Sequence, residues 1–207
     1  MRSRGSVARR SNVERKSRNF ASSLLARLAR ALEKSKIPYL LTGADAVSYY
    51  GAPRRSDDKD LVVMTESSED LRRVVHELQK EGFDVRELEI GHNTIYDGGF
   101  RIDVKVKPEV EETRRIKLSH ALRLNLTTAE NLVLMKLDFW DGTSFEGNDA
   151  QDLMKILARQ RRALDMGYVR TEALKRRTYM KLSKIERYLS RTQSGDKSTA
   201  RHDSRVG

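Results

Sequence analysis

The chain has 207 residues, with 41 Lys and Arg against 30 Asp and Glu, giving a formal net charge of +11. That length suits one good-sized domain or a domain with an extension, and the charge points to a polyanionic partner, for which nucleic-acid phosphates are the commonest choice. Zero cysteines exclude disulfides and thiolate metal sites, while no apolar run approaches the ~18 residues of a membrane span and the basic N-terminus lacks a secretory apolar core, so a cytoplasmic protein that engages no membrane is expected.

Residues 1–19 carry Arg2, Arg4, Arg9, Arg10, Arg15, Lys16 and Arg18 against Glu14 alone. Residues 190–207 hold almost no apolar side chains. Both ends read as disordered tails, because neither can bury enough apolar surface to offset its ordering entropy. Between them, a sheet-bearing domain is expected over 20–126 and a helical region over 127–189.

In chain order, Ser22 to Ser35 places Leu24, Leu25, Leu28, Ala29 and Leu32 at helical spacing, and Pro38 closes that helix. IPYLLTG reads as a short buried strand ending at Gly43, and ADAVSYYG as two helical turns stopped by Gly51 and Pro53. KDLVVMT is a second strand. SSEDLRRVVHELQKEG opens on a Ser cap, aligns Leu71, Val74, Val75 and Leu78 on one face, and ends at Gly82. FDVRELEI, HNTIYD and GFRIDVKVKP read as an antiparallel meander. In the last of these, Phe100, Ile102, Val104 and Val106 face one way and Arg101, Asp103, Lys105 and Lys107 the other. Glu111 to His120 reads as helical or irregular, and ALRLNLTT as another strand. Helices follow at TAENLVLMKLDFW, at NDAQDLMKILARQ and at 171–189. The fold class is therefore α/β or α+β: a mixed, largely antiparallel sheet with helices on one side and a C-terminal helical region.

Three acids draw attention. Asp58 and Asp60 stand two apart at the entry to a strand, so alternation puts both carboxylates on one face. Asp103 sits mid-strand between Ile102 and Val104. If those strands are neighbours, the three carboxylates converge and repel one another. A divalent cation resolves that repulsion, and Mg²⁺ is usual where carboxylates share coordination with substrate phosphates. Upstream, Thr42, Gly43 and Ala44 lie between a strand and a helix N-terminus, where small residues admit a phosphate to the backbone N–H groups. Taken alone, Asp58 and Asp60 also suit a solvated turn.

The order LLTGA, YYGAPRRSDDKDLVV and RIDVKV resembles the nucleotidyltransferase superfamily with the polymerase-β-like palm, and more narrowly its small prokaryotic AbiEii-type branch. Lys136-Leu137 followed by Asp149-Ala150-Gln151-Asp152-Leu153 extends the likeness, which spans about residues 37–160. The resemblance implies a metal-dependent transferase that moves a nucleoside monophosphate from an NTP to a hydroxyl; the positive charge favours RNA such as tRNA over a small molecule as acceptor, and a toxin-like role stays open. The resemblance assigns Asp58, Asp60 and Asp103 to two Mg²⁺ or Mn²⁺ ions, and Thr42, Gly43, Ala44, Ser56, Lys136 and Asp152 to the nucleotide. Arg54 or Arg55 could reach either substrate. Two positions depart from the family pattern: its second glycine or serine is Ala44, and the apolar residue between its paired acids is Lys59. The other reading of the same residues is an inactive member that binds RNA or a toxin–antitoxin partner. A helix bearing Lys175, Arg176, Arg177, Lys181 and Lys184 is a candidate RNA face. His76, His92, His120 and His202 show no ligand spacing, and Phe139 and Trp140 are expected in the core.

Overall fold

In a computed structural model the described residues are 24–51, 53, 56–117 and 123–199, with side chains through 192. The N-terminal tail, Arg54, Arg55, His120 and residues 200–207 lie outside them. The elements run α1 (24–35), β1 (Tyr39–Thr42), α2 (Gly43–Tyr50), β2 (Asp58–Met64), α3 (Ser68–Lys80) and β3 (Gly91–Asp97). They continue as β4 (Phe100–Lys107), β5 (Thr113–Lys117), β6 (Arg123–Thr127), α4 (Ala129–Phe139), α5 (Asn148–Gln160), α6 (Met166–Lys175) and α7 (Tyr179–Thr199). They fall into a sheet unit, formed by the chain up to Leu41 and from Asp57 to Leu126, and a helical unit, formed by Thr42–Ser56 and the chain from Thr127.

The sheet unit is organised by apolar periodicity. Leu24, Leu28 and Leu32 recur every four residues along α1, and Leu71, Val74 and Leu78 form the matching stripe on α3. Both stripes join one core with Leu61 and Val63 of β2 and Ile102, Val104 and Val106 of β4. Each such side chain, buried in full, contributes about 1.5–3 kcal/mol. Ser67 caps α3 by accepting from the Asp70 amide at 3.3 Å, the arrangement its sequence signalled. At the far end Gly82 adopts φ +83°, letting the Phe83 amide reach Leu78 O and the Gly82 amide reach Gln79 O. This left-handed closure accounts for glycine at that position.

The sheet has six strands in the order β3-β4-β2-β1-β6-β5 and is mixed, as the sequence implied. β2 runs parallel to β4, β1 parallel to β6, and β3 antiparallel to β4. Two local expectations change. Residues 83–89 form no strand: the alternation begun by buried Phe83 and Val85 breaks at exposed Arg86 and Glu87 before buried Leu88, and the Gln79 side-chain amide binds Val85 O at 2.8 Å in place of a ladder. Conversely, residues 113–117, expected helical or irregular, form the edge strand β5. Its Arg114, Arg115 and Lys117 surround a single buried Ile116. A charged edge strand resists pairing with other chains and offers almost no apolar pattern to read.

In the helical unit, Val47, Tyr50, Leu132, Leu137, Trp140, Leu153, Ile156, Val169 and Leu182 share a second core. The Tyr50 hydroxyl donates to Thr127 O at 2.9 Å, while Gln160 and Arg159 of α5 donate to Tyr50 O and Gly51 O at the end of α2. Trp140 is buried as expected, but Phe139 is exposed. The single helix expected over 171–189 is two, α6 and α7. Arg177 takes φ +59°, and the Thr178 amide turns back to Ala173 O, so α6 closes with the same motif that Gly82 gives α3 but with an arginine in the left-handed position. Propagating a helix adds a bond per residue fixed, and α7 continues through the polar stretch from Ser190 to Thr199.

Buried Tyr39 on β1 donates its hydroxyl to Glu33 at 3.0 Å. Burial first, and then the Glu33 carboxylate, push its ionisation far above the ordinary tyrosine value. The folded state therefore keeps the phenol neutral while the unfolded chain ionises it above pH about 10. The stabilisation is complete below that pH and is lost as pH climbs from there toward the raised folded value. Tyr39→Phe should cost about 1 kcal/mol at pH 7 through the lost hydrogen bond. It should also flatten the alkaline limb of stability, so that denaturant melts at pH 8 to 11.5 show the difference from wild type shrinking and then reversing.

Candidate active site

Strands β2 and β4 pair in parallel with Asp58 opposite Arg101, Lys59 opposite Ile102 and Asp60 opposite Asp103. Register partners project to the same side of a sheet. Asp58, Asp60, Arg101 and Asp103 therefore form a square on one face, and Lys59 joins Ile102 on the other. The sequence expected the three carboxylates on one face if the strands were neighbours, and they are.

Arg101 completes the square. Its guanidinium contacts Asp103 Oδ2 through Nη2 at 2.6 Å and Nε at 3.0 Å, and the same Nε lies 3.6 Å from Asp58 Oδ1. On β3, Thr94 stands opposite Asp103 and donates its hydroxyl to Oδ1 at 3.2 Å. Both oxygens of Asp103 are thus engaged. The hydrogen-bonded Asp103, and then the charge of Asp58, hold the guanidinium above its ordinary pKa. Neither Arg101 nor Thr94 was singled out by sequence. Alternation along RIDV did put Arg101 on the face of Asp103, but its role required the register with Asp58.

The residues match a hard divalent ion in kind, since three carboxylates share a face beside half-open solvent. Among the described residues, however, no group of three acids or histidines is gathered as a metal cluster. Arg101 lies among the acids. Lys59 is only 4% exposed and pairs in register with Ile102, on the face opposite the square.

The remaining sequence candidates belong to the helical unit: Thr42 ends β1, Gly43 and Ala44 open α2, Ser56 precedes β2, and Lys136 and Asp152 sit on α4 and α5. Gly43 opens α2 with φ +59°, a left-handed conformation that favours glycine there. Thr42, at the N-cap position, makes no capping bond and donates instead to Met135 Sδ at 3.6 Å. Ala44 is buried in the first turn, and half-buried Ser56 precedes β2. Lys136 of α4 is buried and bound by Asp149 at 2.7 Å and Asp152 at 3.1 Å. Two carboxylates thus already neutralise the lysine that the resemblance gave to the triphosphate. Within the candidate RNA face, Lys181 donates to Leu137 O and Trp140 O, and Lys184 to Gly142 O at 2.6 Å. Arg176 pairs with Asp138, and Lys175 with Glu172. Much of that face serves the end of α4 and local ion pairs.

No protein-family model matches the chain, and no curated protein matches its sequence. Solved structures do. The antibiotic-resistance factor ANT(2'')-Ia in complex with adenylyl-2''-tobramycin aligns over 80% of this chain and 97% of its own, with TM-score 0.52 and 13% identity. An antigenic nucleotidyltransferase-like protein from Paracoccidioides brasiliensis covers 79% of this chain and 90% of its own at 15% identity, with TM-score 0.49. The fold is that of a nucleotidyltransferase.

Asp152 is 1% exposed and its carboxylate meets a buried lysine. Removing one partner of such a pair leaves an uncompensated buried charge, typically costing about 3–5 kcal/mol. Asp152→Ala and Lys136→Met should each lose stability on that scale in urea melts. Lys136→Met/Asp152→Leu should recover most of it, because the apolar pair leaves neither of those two charges stranded. Additive losses in the double variant would contradict the pairing.

Proposed function

We propose that the chain is a nucleotidyltransferase moving a nucleoside monophosphate from an NTP to a hydroxyl acceptor, with Asp58, Asp60 and Asp103 as its catalytic carboxylates. The register pairing of Asp60 with Asp103, with Asp58 two residues earlier on the same face, supports this reading most directly. In the reaction the acceptor oxygen attacks the α-phosphorus, the α–β phosphoanhydride bond breaks, and pyrophosphate leaves. Asp103 is proposed to take the acceptor proton. Mg²⁺ or Mn²⁺, as a pair of ions on the three carboxylates, would neutralise the charge that builds on the transferring phosphoryl group.

Thr42, Gly43, Ala44 and Ser56 are proposed nucleotide contacts on the strength of the sequence resemblance. The paired state of Lys136 favours, for it and Asp152, a duty within the helical unit over direct contact with triphosphate. The net charge of +11 favours an RNA acceptor such as tRNA over a small molecule, in a toxin-like or a housekeeping role. A second reading, an inactive fold that binds RNA or a protein partner, draws support from Arg101 standing among the acids and from Lys59 between them.

Incubation with α-labelled NTPs, Mg²⁺ and total RNA separates the two. Label should enter RNA with wild type and fall at least ~100-fold with Asp58→Asn or Asp103→Asn, in line with the loss of a positioned catalytic group. RNA retained on a filter without label transfer would favour the inactive reading. Transfer that persists in both variants would remove the carboxylates from the chemistry.

A further inference from the structure

We propose that Arg101 is the resident counter-ion of the carboxylate square, and that a divalent cation enters only by displacing its guanidinium, so that this residue sets the metal affinity of the site. The inference rests on the metal-binding reading of Asp58, Asp60 and Asp103 and adds to it a competing group that the same strand supplies.

The geometry makes the competition direct. Asp103 offers Oδ2 to two nitrogens of Arg101 and Oδ1 to Thr94. A metal ligated through Oδ2 has to take that oxygen from the arginine. Asp58, the other carboxylate a metal would need, is the one facing Arg101 in the register and lies 3.6 Å from the same Nε. One guanidinium therefore brings two nitrogens to a single oxygen of Asp103 and stands within ion-pair reach of Asp58. Arginine does not shed its proton at any physiological pH, so it cannot make room by neutralising. It has to swing away, or the dication and the guanidinium share a space in which they repel.

The swing is feasible. The Arg101 side chain is 49% exposed and that of Asp58 is 50% exposed, so water takes up the hydrogen bonds that are released. Exposed ion pairs of this kind are weak and exchange readily. A resident arginine of this sort also offsets the repulsion between Asp58 and Asp103 when no metal is bound, and it vacates for a competitor carrying twice its charge.

Titration of Mn²⁺ into wild type, Arg101→Met, Arg101→Lys and Asp103→Asn, followed by the loss of the free Mn²⁺ paramagnetic signal, tests the proposal. Arg101→Met should bind Mn²⁺ at least ~10-fold more tightly than wild type. Arg101→Lys should fall between them, since an ammonium keeps the charge without the fork. Asp103→Asn should bind far more weakly than any of these. Circular dichroism checks that each variant is folded, and the half-exposed position of Arg101 makes its replacements well tolerated. Equal affinity in wild type and Arg101→Met, with loss in Asp103→Asn, would overturn the counter-ion proposal while leaving the metal site standing. Failure of wild type and Arg101→Met alike to bind would overturn both.

Discussion

The parallel pairing of β2 with β4 is the constraint on which the candidate site depends. Side chains alternate across a strand, so a slip of one residue would exchange every face. With Asp60 opposite Asp103, the acids and Arg101 share the open side, while Leu61, Val63, Val104 and Val106 share the side packed against α1 and α3. The apolar half of the register is what fixes the charged half. Moving β4 by one residue would bring Asp103 into the core and expose Ile102 or Val104, a cost of several buried side chains at about 1.5–3 kcal/mol each. Parallel neighbours also need a long crossover, which α3, the stretch 83–90 and the hairpin strand β3 provide. The helix that closes the crossover is the same one whose leucine and valine stripe holds the register.

Lys59 shows how strict that division is. Between two acids in sequence it looks like their partner, yet the alternation sends it to the opposite face beside Ile102. Arg101, which contacts Asp58 and Asp103, comes from the neighbouring strand. A charge buried among apolar side chains is costly unless it is satisfied. Lys59 keeps its place there because the leucine and valine alternation that sets the register leaves position 59 on the packed face.

Much of this was legible in the sequence. The alternation in FRIDVKVK and the apolar LVVM run identified both strands, the Gly82 stop and Ser67 cap bounded α3, and the spacing Asp58–Asp60 fixed a shared face. The order of motifs named the fold before any coordinates did. The pairing of two strands separated by a helix and a hairpin strand was not legible, because register is a long-range packing result and not a local preference. Arg101 was hidden for the same reason, since its contact with Asp58 exists only across the pair. Strand β5 escaped because an edge strand with one buried residue carries no amphipathic pattern, and the break between α6 and α7 because it rests on Arg177 where a glycine would normally signal it. The pairing of Lys136 with Asp149 and Asp152 was also beyond local pattern. The two carboxylates lie on the next helix, beyond the reach of periodicity within α4.

The two units handle charge in opposite ways, and the contrast explains where exchange can occur. In the helical unit Asp152 has a side chain 2% exposed and Lys136 one 10% exposed. Separating them strands a charge in a low-dielectric interior, so the pair is in effect permanent. In the sheet unit the side chains of Asp58 and Arg101 are about half exposed. Water compensates either group when they part, and the net energy of the pair is small and salt-sensitive. A group that must leave to admit a ligand belongs in the second environment. The carboxylates that gain a new partner there do so without disturbing the apolar face of the same strands, because alternation has already separated the two tasks. If Arg101 yields to a cation as proposed, the open square rearranges while the core beneath it stays fixed, which is the property a site that binds and releases ions requires.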